Sequence, residues 1–408
     1  MKFFSLPVPL LAILFGGPLL AQDPELPPPV EPEDEPLPGY FFDESELDSS
    51  LEIPEEGEIP TLEDGYGYDY DYDSESPFDD RFSRASLSEE RPVYGDGWKI
   101  WRLDGVLPPG LQRGQIVDVG RFGVSVRYSQ TEWDEQRDGT DDLSSEELFS
   151  RGYQLAATNL EEQRIELDLV YGLDDRWTLY GTVPFIDREL EYDIDTGGSA
   201  VSDNSGIGDV ILGGRYTARA NDQELLSYFV GLGLPTGSHD ERGNYAGDSN
   251  AYLPFNLQLG SGTFDLHPGV SYVRMLDTWS VGVRGEAQVH LERNSDNWAV
   301  GDTFQLNAWA AKALSRSLTG NVGLQADWRG DYLGDENELD FSRSSIEDVT
   351  RQRGSVVSLV LGIAADFSRS YAGANRLGLE VQLPLVDRVD GPNLARETTF
   401  LVSWNIGL

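Results

Sequence analysis

From about Gln115 to the end of the chain, apolar and polar residues take turns in segments of roughly ten residues, the strand length of a transmembrane barrel. Successive strand side chains point to opposite faces, so alternation means that the two faces meet different solvents. Phe122, Val124, Val126 and Tyr128 alternate with Gly123, Ser125 and Arg127. Ile165, Leu167, Leu169 and Tyr171 alternate with Glu166 and Asp168. Trp279, Val281, Val283, Ala287, Val289 and Leu291 interleave with Ser280, Gly282, Arg284, Glu286, Gln288 and His290. Leu377, Leu379, Val381, Leu383 and Leu385 do the same with Gly378, Glu380 and Gln382. A helix would repeat its apolar positions at three and four residues instead.

A soluble sandwich with one wet face would also alternate. Two features favour a barrel: the strands are long, and the connections between them are short and long in turn. Short turns fall at Leu173–Arg176, Arg219–Glu224, Leu276–Thr278, Leu314–Ser317 and Ser368–Asn375. Long polar loops fall near 134–159, 188–206, 236–262, 292–302, 330–353 and 387–394. Outer-membrane barrels have short periplasmic turns and long outer loops. Segment 252–260, with Leu253, Phe255, Leu257 and Leu259, would make a thirteenth strand and invert every later loop. Read as half of a hairpin within a long outer loop, it restores the alternation. The expected fold is therefore all-β: an antiparallel transmembrane β-barrel of about 12 strands over 115–408, both ends in the periplasm, with a disordered N-terminal tail.

The N-terminus changes this picture only by adding to it. Lys2 followed by the uncharged, largely apolar run Phe3–Leu20 and the small Ala21 reads as an export signal over 1–21. Pro7, Pro9 and Pro18 interrupt the run, which argues against a membrane anchor. No other apolar stretch approaches the length of a spanning helix. Residues 22–95 are acidic and rich in Pro and Tyr, and no Lys or Arg occurs from Phe3 through Asp80. Such a segment has little to offset its ordering entropy and is expected to be a disordered periplasmic tail. Asp69, Asp71 and Asp73 lack the glycine turn and terminal glutamate of a calcium loop, so no metal is assigned to them. Residues 96–114 form a periplasmic segment leading into the barrel.

Charge and composition narrow the chemistry. With 72 acidic and 30 basic residues, net −42, the chain repels nucleic acid. It has no cysteine, hence no disulfide or thiolate metal site. Expected inward positions are Arg127, Glu166, Asp168, Asp209, Arg215, Asp265, Arg284, Glu286, Asp327, Asp366 and Glu380. They either line a wet channel, where an excess of carboxylates favours cations or neutral solutes, or pair across the barrel and stabilise it. No phosphate loop, HExxH pair or GxSxG elbow is present, and no cofactor is expected. An outer-membrane hydrolase built from His290, Ser280 or Ser271, and Glu286 is the enzymatic alternative; His239 falls in a loop and His267 inward.

Aromatic residues cluster at expected strand ends, as in interfacial girdles: Tyr171, Trp177, Tyr216, Tyr272 and Trp279 at short turns, Phe185 and Trp328 near outer loops. Phe400, Val402, Trp404, Ile406 and Leu408 alternate to the last residue. This end resembles the C-terminal signal read by the barrel-assembly machinery, although that signal normally ends in an aromatic residue.

Four turn motifs stand in order along the chain: Tyr171-Gly172-Leu173-Asp174-Asp175-Arg176, Gly206-Ile207-Gly208-Asp209-Val210, Leu234-Pro235-Thr236-Gly237 and Leu259-Gly260-Ser261-Gly262-Thr263. With Asn294, Gly301-Asp302 and Trp309, they make residues 115–408 resemble the outer-membrane β-barrel family of the MetA pathway of phenol degradation. The resemblance implies an outer-membrane barrel of a Gram-negative bacterium that takes up small solutes, aromatic ones among them. It transfers no catalytic residue. The partners expected are outer-membrane lipid, lipopolysaccharide, the assembly machinery and small solutes. A structural or surface-interaction barrel is the alternative to a passive channel.

Overall fold

In the computed structural model the alternation becomes two physical faces. On the strand Glu224–Leu234, Tyr228, Val230 and Leu232 stand outward and exposed, while Leu225, Ser227 and Phe229 are buried inside. The structure describes residues 93–94, 98–99, 103–111, 117, 119–370 and 373–407. The export signal, nearly all of the acidic tail and Leu408 lie outside the described residues. Val93–Tyr94 pairs with Trp98–Lys99 across the expected tail boundary at 95.

Eleven strand elements close one antiparallel ring, and Asp141–Leu143 and Ser199–Ile207 pair outside it. The ring elements are β1 (Phe122–Gly139), β2 (Leu155–Gly172), β3 (Trp177–Ile194), β4 (Val210–Ala220), β5 (Glu224–Leu234), β6 (Asp265–Met275), β7 (Ser280–His290), β8 (Thr303–Ala313), β9 (Leu318–Arg329), β10 (Gly354–Ser370) and β11 (Gly373–Gly407). Each pairs with its predecessor, and β11 pairs with β1 to close the wall.

The last element makes two crossings. Residues 373–389 run antiparallel to β10, and residues 389–407 run antiparallel to β1. Nine antiparallel steps separate β1 from β10, so those two strands point opposite ways. One straight segment cannot be antiparallel to both, so β11 reverses near 390–392. The wall has twelve crossings, as the alternation of short and long connections predicts. The short turns lie between β2 and β3, β4 and β5, β6 and β7, β8 and β9, and β10 and β11.

Two expectations about the long-loop side are corrected. The segments 134–159 and 188–206 are not loops throughout. β1 continues to Gly139, β2 starts at Leu155, β3 continues to Ile194, and Ser199–Ile207 pairs with it. Glu189 and Glu191 are exposed and polar, but Leu190 and Tyr192, which alternate with them, are buried, so the strand keeps one apolar face above the membrane band. Segment 252–260 is not half a hairpin either. The hairpin is Arg242–Tyr245 with Asp248–Tyr252, and Phe255–Leu257 is a 3₁₀ turn after Pro254. Leu253, Phe255, Leu257 and Leu259 are all buried, because the turn packs on the barrel rather than paving a wall.

Above the wall these loops form a cap with its own core. Tyr245, Leu253, Leu257 and Ile346 pack on Leu190, Tyr192 and Leu394. Trp298–Ala299 pairs with Leu333–Gly334, strapping two long loops together. Gly334 has φ +94°, and a Cβ there would meet the Asn297 carbonyl at 1.9 Å, so this strap requires glycine.

Outward side chains form an apolar belt including Leu167, Leu169, Leu212, Leu324 and Leu361, all exposed. A soluble protein does not carry such a belt; a wall in lipid needs one. Arg in place of the exposed Leu324 should cost about 2–4 kcal/mol if it lies at mid-membrane. Arg in place of Gln382, inside and 3.1 Å from Glu380, should cost less. The check is the folded, heat-modifiable fraction after refolding into vesicles against urea. Equal tolerance at both positions would refute the two-faced wall.

Candidate functional site

The interior is built by the inward rows of the strands, and the registers decide which groups meet. Arg127 on β1 is opposite Glu166 on β2, and its Nε donates to the Glu166 carboxylate at 2.8 Å. Asp168 lies 3.8 Å from the same guanidinium and accepts from the Thr182 hydroxyl at 2.5 Å. Glu380 accepts from Gln382 at 3.1 Å, and Asp366 pairs with Arg376 at 2.8 Å. Asp327 accepts from Gln305, Gln325 and Arg396 at 2.7–2.9 Å.

Arg215 and Arg284 flank Phe229, their guanidinium carbons 5.1 and 4.3 Å from the ring centroid. Both cations are buried, and stacking on an aromatic face offsets part of the desolvation cost. Arg284 also donates to Glu286 at 2.8 Å. Asp265 accepts from Thr263 at 2.7 Å and from Gln288 at 3.0 Å, with His290 3.6 Å away.

Asp209 differs from the other inward positions. It lies between strands and accepts from the Gly237 and Ser261 amides at 2.9 and 2.7 Å, clasping a long loop to the wall. Among the described residues, Asp134, Glu135 and Glu397 bring carboxylates within 4.8 Å of one another at the long-loop rim, the arrangement that could offer a cation three ligands. At the other end of the wall, Phe400, Val402 and Trp404 stand outward and exposed, while Ser403 and Asn405 are buried. Ile406 continues the row half-buried.

The residues of the hydrolase alternative are not brought together. Ser280 pairs with Met275 at one end of β7, and His290 pairs with Asp265 at the other. Ten residues of strand separate the two side chains, about 33 Å. Ser280 instead donates to the Asp104 carbonyl, and Ser271 sits opposite Arg284.

One element of the interior was not anticipated. The segment 103–111, read from the sequence as part of the lead-in, packs inside the short-turn end. Leu107 and Leu111 form one buried cluster with Leu225, Val273, Met275, Trp309 and Ala311 of the inner wall. Trp309 lies over Gly282, where a Cβ would be 2.2 Å from the ring. The backbone of the segment is tied to charged wall groups as well. Gly110 N–H donates to Glu380 at 3.1 Å, and Arg284 donates to the Leu111 carbonyl at 2.9 Å. The signal in the sequence was the apolar run Val106-Leu107-Pro108-Pro109-Gly110-Leu111. Its wall partners are remote along the chain and share no pattern with it.

The long-loop end is closed differently. Glu347, fully buried, accepts from Tyr245 Oη at 2.8 Å, from Arg343 at 2.9 and 2.7 Å, and from the Asp340 amide at 2.7 Å. Trp298 donates to Tyr252 Oη at 3.2 Å and packs edge-on against Phe255 at 5.0 Å.

A family model described as "Putative MetA-pathway of phenol degradation" matches residues 149–370, more than half of the chain. The chain belongs to this family. Among solved structures, the COG4313 outer membrane channel from Pseudomonas putida F1 is similar, at 19% identity. The match covers 74% of this chain and 100% of that one, with a TM-score of 0.52, and it supports the barrel fold. The P. putida toluene transporter TodX matches at 11% identity over 74% of this chain and 93% of its own, TM-score 0.36. A FadL homologue of Pseudomonas aeruginosa matches at 10% identity over 78% and 97%, TM-score 0.35. These two likenesses are too distant to argue from. No curated protein matches. Family and fold together place the chain among outer-membrane barrels.

Burial, and next the Glu347 carboxylate, hold the Tyr245 phenol well above its usual range. A raised folded pKa gives stability that is fully present below the unfolded value, about 10, and lost as pH rises through the folded one. Burial raises Tyr252 in the same direction. Ultraviolet titration should therefore show late-ionising tyrosines, fewer by one in Tyr245→Phe. An unchanged late population in that variant would contradict the packing of the cap.

Proposed function

We propose that the chain is a passive outer-membrane channel for small solutes, aromatic ones among them. The observation that carries this reading is a charged, polar interior inside a closed wall whose outer face is apolar. Arg127, Glu166, Asp168, Asp265, Arg284, Glu286, Asp366 and Glu380 are its lining groups, and carboxylates outnumber arginines among them. The phenol named in the family's description and the aromatic and cationic surfaces of Phe229, Arg215 and Arg284 support aromatic solutes. The short turns, the exported N-terminus and the tail lie in the periplasm on this reading. The C-terminal row serves assembly, and the long loops meet lipopolysaccharide.

The segment 103–111 closes the channel at its short-turn end. A structural or surface-interaction barrel remains the second reading, and it draws on the same closure of both ends. Solute entry needs the segment to leave, and Leu107 and Leu111 hold it by apolar contact.

The test is conductance in planar bilayers. Wild-type protein should pass a small current with cation preference, strongest at low salt, because the screening length grows from roughly 10 Å at 0.1 M to roughly 30 Å at 0.01 M. Replacing both Leu107 and Leu111 by Asp should raise the conductance severalfold. Glu286→Gln with Asp366→Asn should weaken the cation preference, read as reversal potential across a salt gradient. Anion preference in the wild type would overturn the electrostatic argument. No current from any folded variant would give the decision to the structural reading.

A further inference from the structure

The outer surface of the wall carries a groove of about 490 Å³ at its short-turn end, across β7 to β11. It exists because two outward positions are small: Ala310 on β8 and Gly320 on β9. Trp279 stands on one bank, and Leu361, Ile363 and Leu379 stand on the other. Gly320 is paired with Lys312 on one side and with Ile363 on the other. Its lining falls in two rows across the strands, Lys312, Gly320, Ile363 and Leu379 nearer the short turns and Ala310, Val322, Leu361 and Val381 one step further up.

Lys312 is the one lysine on the C-terminal side of Lys99, and it stands on the lipid-facing row. Its ammonium lies 5.2 Å from the centroid of the Trp279 ring. Among the described residues, no carboxylate pairs with it in an ion pair. A cation on this face is tolerated near the interface, where its stem runs along apolar surface and its head meets polar groups. Tryptophan prefers the same depth.

We propose that this groove binds a glycerophospholipid of the periplasmic leaflet. The phosphate meets Lys312, the glycerol region lies at Trp279, and one acyl chain fills the channel over Gly320 and Ala310. The dimensions agree, since ligand sites enclose about 300–1,000 Å³. The charges agree, an anionic headgroup on an unpaired cation. The position agrees too: short turns mark the periplasmic side of such barrels, and Lys312 stands in the row of the groove nearer those turns. The site lies outside the wall and does not depend on whether the lumen conducts.

The experiment is native mass spectrometry of the full chain from detergent, titrated with dioleoyl-phosphatidylglycerol. Wild-type protein should take up a first lipid at lower concentration than any later one. Lys312→Gln should weaken that first binding about fivefold, the worth of one lysine near an anionic surface. Gly320→Leu, which fills the floor, should abolish it, and Ala310→Leu provides a second filling variant should that one fail to fold. Leu212→Ala, on β4 and away from the groove, should change nothing. Equal first binding in wild type and in both kinds of folded variant would overturn the proposal. Equal binding of dioleoylglycerol, which has the tails without the phosphate, would overturn the role of Lys312. A two-chain species without lipid would assign the groove to a second copy instead.

Discussion

A chain that crosses hydrocarbon finds no water for its amides, and every N–H and C=O must be satisfied within the protein. For a β structure this leaves closure, because an open sheet exposes two edges. Here closure is made by β11, whose first half pairs with β10 and whose second half pairs with β1. Antiparallel pairing on both sides forces the reversal and hence an even number of crossings. An even number brings both ends of the wall to the same side. The Val119–Gly172 bridge and the end of β11 at Gly407 both lie at the short-turn end. The lead-in chain is thereby delivered to the mouth of its own barrel, where the apolar ring around Trp309 receives it.

Closure also decides the interior. A ring of this size lies between barrels filled by side chains and open pores. Most charged groups there are buried among many neighbours, and they pair. Arg127 with Glu166, Arg376 with Asp366 and Arg396 with Asp327 meet across adjacent or nearby strands. Pairing and conduction are not opposites. A paired wall still presents a field to a passing solute, with the surplus carboxylates setting its sign.

Period-two alternation made the wall legible in the sequence, strand by strand, because inner and outer faces meet different solvents. Turn chemistry made the short connections legible, as at Asp174, whose carboxylate receives the Arg176 and Trp177 amides. Legibility failed where a strand leaves the membrane. Above the belt the outer face meets water and is polar at Glu189 and Glu191, although Leu190 and Tyr192 still pack inward. The row Leu253–Leu259 failed in the opposite sense, alternating like a strand while all four apolar residues pack under the cap. The positions of Asp209 and of the segment 103–111 depend on contacts far along the chain, and no local pattern encodes them. The inward charges were legible as a set, but their partners come from register.

The two closures of the barrel differ in how their contacts are shared out. The cap is held by a fully buried carboxylate, Glu347, inside a network of Arg343, Tyr245 and the Asp340 amide. Opening it by removing one member leaves an uncompensated buried charge, a cost of about 3–5 kcal/mol. The segment 103–111 is held by two leucines, worth about 1.5–3 kcal/mol each when fully buried, by a few hydrogen bonds to its backbone and by the buried Asp104. Those hydrogen bonds have replacements as soon as the segment leaves. Water can serve Gly110 and the Leu111 carbonyl, Arg284 keeps Glu286 at 2.8 Å, and Glu380 keeps Gln382 at 3.1 Å. Each charged wall group that anchors the segment therefore keeps one side-chain partner when it leaves. The cap therefore turns on one carboxylate bound by Arg343, Tyr245 and the Asp340 amide, whereas the segment spreads its hold over two leucines, Asp104 and hydrogen bonds that water can replace.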